Sequence, residues 1–352
     1  MDFKQIFSKR LKSAREMRGL SMADLSALLG NSVTPQAIYK YERGKMLPGS
    51  TLLIEISQKL GMSPDYFFRP FNVTISGIKF RKKTSLAAKD RKAIEGGVKD
   101  LVERYVEVDD ICGVHTPPRF EKHSFLVTTD DEVASLAYQL RDLWGLGNNR
   151  IANVIRFLES LGVIVVEINA AEAFDGLSGY ADDIPVVVIN KEFAPERKRF
   201  TALHELGHLV MDFPEGVTDH MIEGFCHLFA SELLLPTPVF KEAAEELLKG
   251  KTLLQDLAEL QKEYGISIDA LMYKAKHAGL ISESKHRHYH ILKNTNPSFK
   301  KYAERSRIAE ESSDRFERMV FKALDGELIS TSKAASLLEA SVEDVLHKSL
   351  II

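Results

Sequence analysis

Residues 196–212, ERKRFTALHELGHLVMD, decide how this 352-residue chain reads. The chemistry sits in the pentad His204-Glu205-Leu206-Gly207-His208. Residues 200–210 read as a helix, and on a helix positions four apart share one face. His204 and His208 can therefore offer two imidazoles to one metal ion. Glu205 lies one step round, where it can hold a water molecule that the ion acidifies. The H-E-x-x-H spacing suits zinc-assisted hydrolysis of a peptide bond. The run Val186-Val187-Val188-Ile189 ahead of it is apolar and β-branched and predicts a strand.

A catalytic zinc takes three protein ligands and keeps one position for water. The next predicted helix, His220 to Leu235, stops at Pro236 and offers Glu223 and, one turn on, His227. Glu223 is the expected third ligand, because a carboxylate completes a His-His-Glu set and leaves net positive charge on the ion. Manganese is the alternative to zinc. His227 is the second choice as ligand and a candidate donor to the reacting oxygen. Asp212, four residues past His208, is the third choice as ligand. Glu205 is expected to take the proton of the attacking water and pass it to the leaving amine. Tyr180 and His227 are the expected donors to the tetrahedral oxyanion. The 186–189 strand is expected to pair with an extended substrate backbone, which points to peptides rather than small amides.

Composition sets the surroundings. Hydrophobic residues make up 44% and charged residues 28%, as in ordinary globular proteins. The length predicts two or three domains. No apolar run reaches membrane-spanning length and the N-terminus has no signal-peptide core, so a cytoplasmic setting without membrane contact is expected. Cys112 and Cys226 form no metal or redox motif and read as small buried side chains. The net charge of −3 is unevenly placed: residues 1–70 hold 11 Lys+Arg against 6 Asp+Glu. A basic head on an acidic body suggests a local nucleic-acid contact.

That head, residues 1–70, reads as five short helices. Phe3, Phe7, Leu11 and Ala14 form the first apolar stripe. Ser21 caps the second helix, and Thr34-Pro35 starts the third, which runs to Arg43. Two short helices joined by a tight turn make a helix-turn-helix, whose second member lies in the major groove. Its outward positions Gln36, Ala37, Tyr39 and Lys40 are the expected DNA contacts, with Ile38 and Tyr41 facing the bundle. Gln36 can read adenine and Lys40 can reach guanine or phosphate. An ion pair between Arg10 and Glu42 is expected inside the head.

Two resemblances follow from these residues. SMADLSALLGNSVTPQAIYKYERGKMLPGSTLLIEISQKLGMSPDYFF, residues 21–68, resembles the XRE-type (Cro-like) helix-turn-helix family, most specifically in QAIYKYERG and LGMSPDYF. DGLSGYADDIPVVVIN, ERKRFTALHELGHLVMD and EGFCHLFASELLLP together resemble the ImmA/IrrE family of zinc metallopeptidases over residues 130–280. In that family the third ligand is the acidic residue opening the last motif, here Glu223. Two positions depart from the pattern: His227 stands where Asn is usual, and Asp212 where His is common.

The expected fold is multidomain. An all-α helix-turn-helix domain (1–70) precedes a helical connector (71–118) with the basic cluster Lys79, Arg81, Lys82 and Lys83. An α+β zincin-like metallopeptidase domain (119–290) follows, then a mainly helical tail (291–352) that reads as a packing or homodimerisation module. Within the body, 174–179 reads as a glycine-containing loop and 286–290, HRHYH, as a strand or loop with its three histidines on one face. The function these readings imply is a DNA-binding zinc endopeptidase that cleaves a helix-turn-helix repressor to derepress genes, in stress or mobile-element control. The rival is a transcriptional regulator or antitoxin-like protein whose peptidase-like domain senses a ligand or grips a partner without proteolysis.

Overall fold

The computed structural model describes residues 2–70, 75–80, 88–114, 116–247 and 253–349. They divide into two compact units. One comprises Met1–Ser76, Lys82–His115 and Asp314–Ile352, the other Gly77–Arg81 and Thr116–Ser313.

The first unit opens with α1 (Phe3–Met17), α2 (Met22–Leu28), α3 (Pro35–Glu42), α4 (Ser50–Leu60) and a short 3-10 turn at Pro64–Phe68. Local signals start each helix. Ser21 and Asp24 form a reciprocal capping box on α2, and Thr34 caps α3 with Pro35 in its first turn. Phe7, Leu11, Ala14, Leu25, Ile38, Tyr41 and Phe67 make the core. Phe3 is half exposed but stacks on Phe68, ring centroids 4.7 Å apart. The ion pair expected at Arg10 belongs to Arg15 instead, which grips Glu42 through two hydrogen bonds of 2.6 and 2.9 Å. Five residues apart, the two arginines leave α1 in directions about 140° apart, so only one can meet α3. Arg10 donates to the carbonyls of Arg69 and Pro70 and pairs at 2.6 Å with Glu103 on α5 (Ala88–Cys112).

The second unit takes in all but the first two residues of β1 (Ile75–Phe80), then β2 (Phe125–Leu126), α6 (Asp130–Leu143), α7 (Val154–Ser160), β3 (Ile164–Ile168), β4 (Gly176–Ala181) and β5 (Ile184–Asn190). A four-stranded sheet has the order β1-β4-β5-β3. β3 runs parallel to β5 (Val165 opposite Val187), and β4 antiparallel to it (Leu177 opposite Val188). β5 is an inner strand, buried almost throughout, which explains its unbroken apolar run. Both its edges are already paired, so it cannot bind an extended substrate as expected. The predicted loop at 174–179 is largely β4. Its glycines belong to a buried strand, and side chains crowd closely on Gly176.

α8 (Pro195–Val210) lies across this sheet, and β6 (Met211–Asp212) pairs in parallel with β2. Then come α9 (Asp219–Leu234), α10 (Thr237–Leu247), α11 (Leu253–Tyr264), α12 (Ile268–His277), α13 (Glu283–Thr295) and α14 (Pro297–Glu304). Residues 286–290 lie inside α13, capped by Ser282, rather than in a strand. The chain returns to the first unit with α15 (Arg315–Asp325), α16 (Thr331–Leu338) and α17 (Val342–Ser349). The connector helix and the last helices thus belong with the head, whereas residues 291–313 belong with the body. Of the basic cluster, Lys79 falls in β1, and Arg81, Lys82 and Lys83 lie outside the described residues. Among the described residues no helix is long and apolar enough to cross a membrane. A helical head, an α+β body with small sheets and a helical tail make the protein multidomain.

Candidate metal centre

The centre is built on two packed helices, α8 and α9. Gly207 lets them close: a Cβ there would meet Phe229 at 3.2 Å and the Cys226 backbone at 3.5 Å. His204 is buried and His208 half-buried, and their Nε2 atoms converge to 3.2 Å. From α9, the Glu223 carboxylate reaches both, with Oε2 3.4 Å from His204 Nε2 and Oε1 3.4 Å from His208 Nε2. These spacings test the fit to zinc. Two ligand atoms held 2.0–2.1 Å from one zinc at the tetrahedral angle lie about 3.3 Å apart. Two imidazoles and a carboxylate at 3.2 to 3.4 Å fit that shape, and the donor set suits zinc or manganese chemically.

Cys226 is a residue the sequence reading missed. His204, His208 and Cys226 form a compact group of metal-competent side chains. Its sulfur, however, sits 3.4 Å from Nδ1 of His208, on the far side of that ring from the converging Nε2 atoms. Cys226 thus lies behind the His208 imidazole, away from the converging nitrogens, where it can steady the ring. The signal was present in the spacing: Cys226 is three residues after Glu223, on the same face of α9.

Glu205 is buried, and Ser178 on β4 donates to its Oε2 at 2.8 Å. Gly176, two residues earlier, makes room. A Cβ there would lie 2.9 Å from the Val188 carbonyl oxygen, 2.8 Å from Thr201 Cγ2 and 3.2 Å from Glu205 Oε1.

The structure does not bring every expected residue into the centre. Tyr180, expected as an oxyanion donor, instead gives its hydroxyl proton to the Leu209 carbonyl at 2.9 Å. Burial pushes its phenol well above the ordinary value, so that donor is committed to closing the end of α8. Asp212 does not share a face with His208, because α8 ends at Val210 and Met211 is extended. Its side chain is exposed and lines a cavity of about 310 Å³ together with His208 and His123. His227 lies beside the centre, with its ring centroid 4.5 Å from that of His204. Its Nδ1 is 2.6 Å from the Glu223 carbonyl oxygen, so Nδ1 carries the proton. His123 was not anticipated. It holds a left-handed backbone (φ 46°), its N–H donates to the Leu209 carbonyl at 3.1 Å, and its Nδ1 faces the Met211 carbonyl at 3.1 Å.

In the head, Gln36, Tyr39 and Lys40 are exposed on α3, and Ile38 and Tyr41 are buried. Ala37 is half-buried and packs against the core, which limits it to a close backbone approach. Arg43, not singled out from sequence, lies over the Tyr39 ring at 5.5 Å and extends the basic face.

With this geometry in place, the relationships to known proteins follow. Residues 11–67 match the Helix-turn-helix family model, and residues 158–276 match that of the IrrE N-terminal-like domain, a peptidase family. The chain therefore carries an XRE-type helix-turn-helix DNA-binding domain followed by an ImmA/IrrE-type metallopeptidase domain. Among characterised relatives it is similar to the radiation response metalloprotease IrrE of Deinococcus radiodurans, 35% identical over 100 residues. That match spans 25% of this chain and 30% of the relative's length.

Proposed function

We propose that this protein is a DNA-binding, zinc-dependent endopeptidase that cleaves a helix-turn-helix repressor and thereby derepresses the genes it controls. The observation that supports this reading best is the triangle of His204, His208 and Glu223 with Glu205 buried beside it. Zinc held by those three side chains would supply Lewis acidity, making water nucleophilic near neutral pH and polarising the scissile carbonyl. Glu205, oriented by the Ser178 hydroxyl, takes the proton of the attacking water and delivers it to the leaving amine. His227, with Nδ1 committed to the Glu223 carbonyl, donates to the developing oxyanion through Nε2 as imidazolium. His123, across the small cavity from His208, replaces Tyr180 as the second candidate donor.

Substrate approaches beside α8, since β5 has no open edge. Phe200, whose ring lies 5.8 Å from that of His227, also lines a cavity of about 910 Å³ with Asn190 and Phe193. Such a groove accommodates several residues of an extended chain. In the head, α3 enters the major groove, where Gln36 reads a base edge and Lys40 reaches phosphate or guanine. That brings the peptidase to the operator its substrate occupies.

The test is to incubate zinc-loaded protein with the repressor encoded beside its gene and to follow cleavage by gel and mass spectrometry. Cleavage should vanish in Glu205→Gln and in chelator. Cutting that persists in Glu205→Gln would end the mechanism. Normal gene regulation by Glu205→Gln would make the domain a sensor or a partner-binding module instead.

A further inference from the structure

α13 carries a second pair of histidines four residues apart, His286 and His290. Their Nε2 atoms lie 3.3 Å apart, with ring centroids 4.6 Å apart and rings inclined at 69°. The corresponding values for His204 and His208 are 3.2 Å, 4.9 Å and 74°. The two pairs therefore present the same bidentate geometry, and the spacing again matches about 3.3 Å for two nitrogens on a tetrahedral zinc. Both residues are half-buried, so the rings are supported yet reachable from solvent.

Glu283 opens α13 one turn before His286. Lys276 would repel a cation, but its ammonium pairs with Glu283 at 2.8 Å. His288 points elsewhere: helical spacing turns it about 200° from His286, and it lines an apolar cavity with Tyr289 and Phe299. Strand spacing would have grouped 286, 288 and 290; the helix groups 286 and 290 alone.

We propose that His286 and His290 form a second transition-metal site, taking zinc or a similarly borderline divalent ion, with solvent completing its shell. The ion would clamp one turn of α13. No residue of the peptidase centre takes part, so this site stands or falls independently of proteolysis.

The probe is Zn2+ alone, titrated into metal-free full-length protein against a chromophoric chelator. Wild type should bind two equivalents, and His286→Gln/His290→Gln one, its second-site affinity falling at least about tenfold. His208→Ala should retain the α13 site. A wild-type measurement guards against misfolding of the variants: zinc should protect His286 and His290 from acylation by diethyl pyrocarbonate, as read by peptide mass spectrometry. Equal acylation with and without zinc would overturn the proposal, as would two equivalents surviving in His286→Gln/His290→Gln.

Discussion

Gly176→Ala tests whether the centre is shaped by the sheet beneath it. An added methyl would sit 2.9 Å from the Val188 carbonyl oxygen and 2.8 Å from the Thr201 methyl, both closer than real Cβ contacts. The Thr201 methyl belongs to a side chain on α8, but the Val188 carbonyl belongs to an inner strand that is paired on both edges. Held on both edges, β5 resists moving, so β4 must shift away from β5 and from α8 by several tenths of an ångström. Overpacking of this kind costs about 1–3 kcal/mol. For a unit of this size that lowers the melting temperature by roughly 2–12 °C. The same methyl would lie 3.2 Å from Glu205 Oε1, so it displaces the proton-transferring carboxylate as well. A shift of that size should lower kcat by roughly tenfold or more, since misplacement by 1 Å can cost 100-fold. Thr201→Ser removes one of the two clashing groups, so Gly176→Ala/Thr201→Ser should recover part of the melting temperature. It should recover little of the rate, because the contact with Glu205 remains. Differential scanning fluorimetry and a cleavage assay with a quenched fluorescent repressor segment measure both. A Gly176→Ala protein with wild-type melting temperature and rate would refute the reasoning.

Four further outcomes are expected. Cys226→Ala should weaken zinc binding about 10–100-fold by freeing the second nitrogen of His208, whereas Cys112→Ala should not; chelator competition reads both. Lys274→Ala should cost about 3–5 kcal/mol in denaturant unfolding, because it strands the buried Glu232 carboxylate that Lys274 pairs with. Burial alone would raise Glu232, but Lys274 and hydrogen bonds from Thr237 and Tyr138 outweigh it and hold the group below its ordinary 4.5. A depressed acid contributes stability that is present above 4.5 and lost as pH falls through its folded value. The stability gap between wild type and Glu232→Gln should therefore narrow as pH drops below about 4.5, and a constant gap would contradict the assignment. On DNA, Gln36→Ala should cost about 1–3 kcal/mol at one base pair of the operator, and Lys40→Ala should weaken all sequences and flatten the salt dependence. Binding titrations at several salt concentrations separate the two.

Some of this was legible in the sequence and some was not. The α8 helix and the convergence of His204 with His208 were legible because spacing alone fixes neighbours on a helix, and the approach of Glu223 because a carboxylate on the next helix completes a His-His-Glu set. The head was legible because Ser21, Thr34-Pro35 and Gly61 punctuate it by local chemistry. β4 was hidden because Gly176 and Gly179 imitate a loop; the reason for Gly176 is the closeness of Thr201 and Glu205, a tertiary fact. The α13 pair was misread because alternating histidines imitate a strand, while the Ser282 cap and the buried Tyr289, bonded to Asp269 at 2.7 Å, commit the segment to helix. The positions of Tyr180 and Cys226 depend on which element packs over which, and the inner place of β5 depends on strand order. No period in the sequence encodes either.

The first turns of α8 suggest why the pentad is held so firmly. Glu196 accepts from Gln261 at 2.7 Å, Ser306 at 3.1 Å and the Arg307 N–H at 3.2 Å. Lys198 is buried between Glu167 at 3.2 Å and Glu310 at 2.9 Å. Arg199 grips Glu311 and donates to the carbonyls of Ile151 at 2.7 Å and Tyr264 at 3.2 Å. Glu311 in turn accepts from the Val154 N–H at 2.8 Å, at the start of α7. Buried charges rarely add net stability, because desolvation offsets their attraction. Their effect here is geometric. Side chains at 196, 198 and 199 radiate from one helix to β3, α7, α11 and the 306–311 segment. Any rotation or slide of α8 would break all three sets at once. His204 begins little more than one turn further along the same rigid helix, so the far end inherits that register. A hydrolytic centre needs its ligands and proton acceptor fixed to about 0.5 Å. The ion pairs supply that fixity from outside the chemistry, and an apolar replacement of equal stability would not.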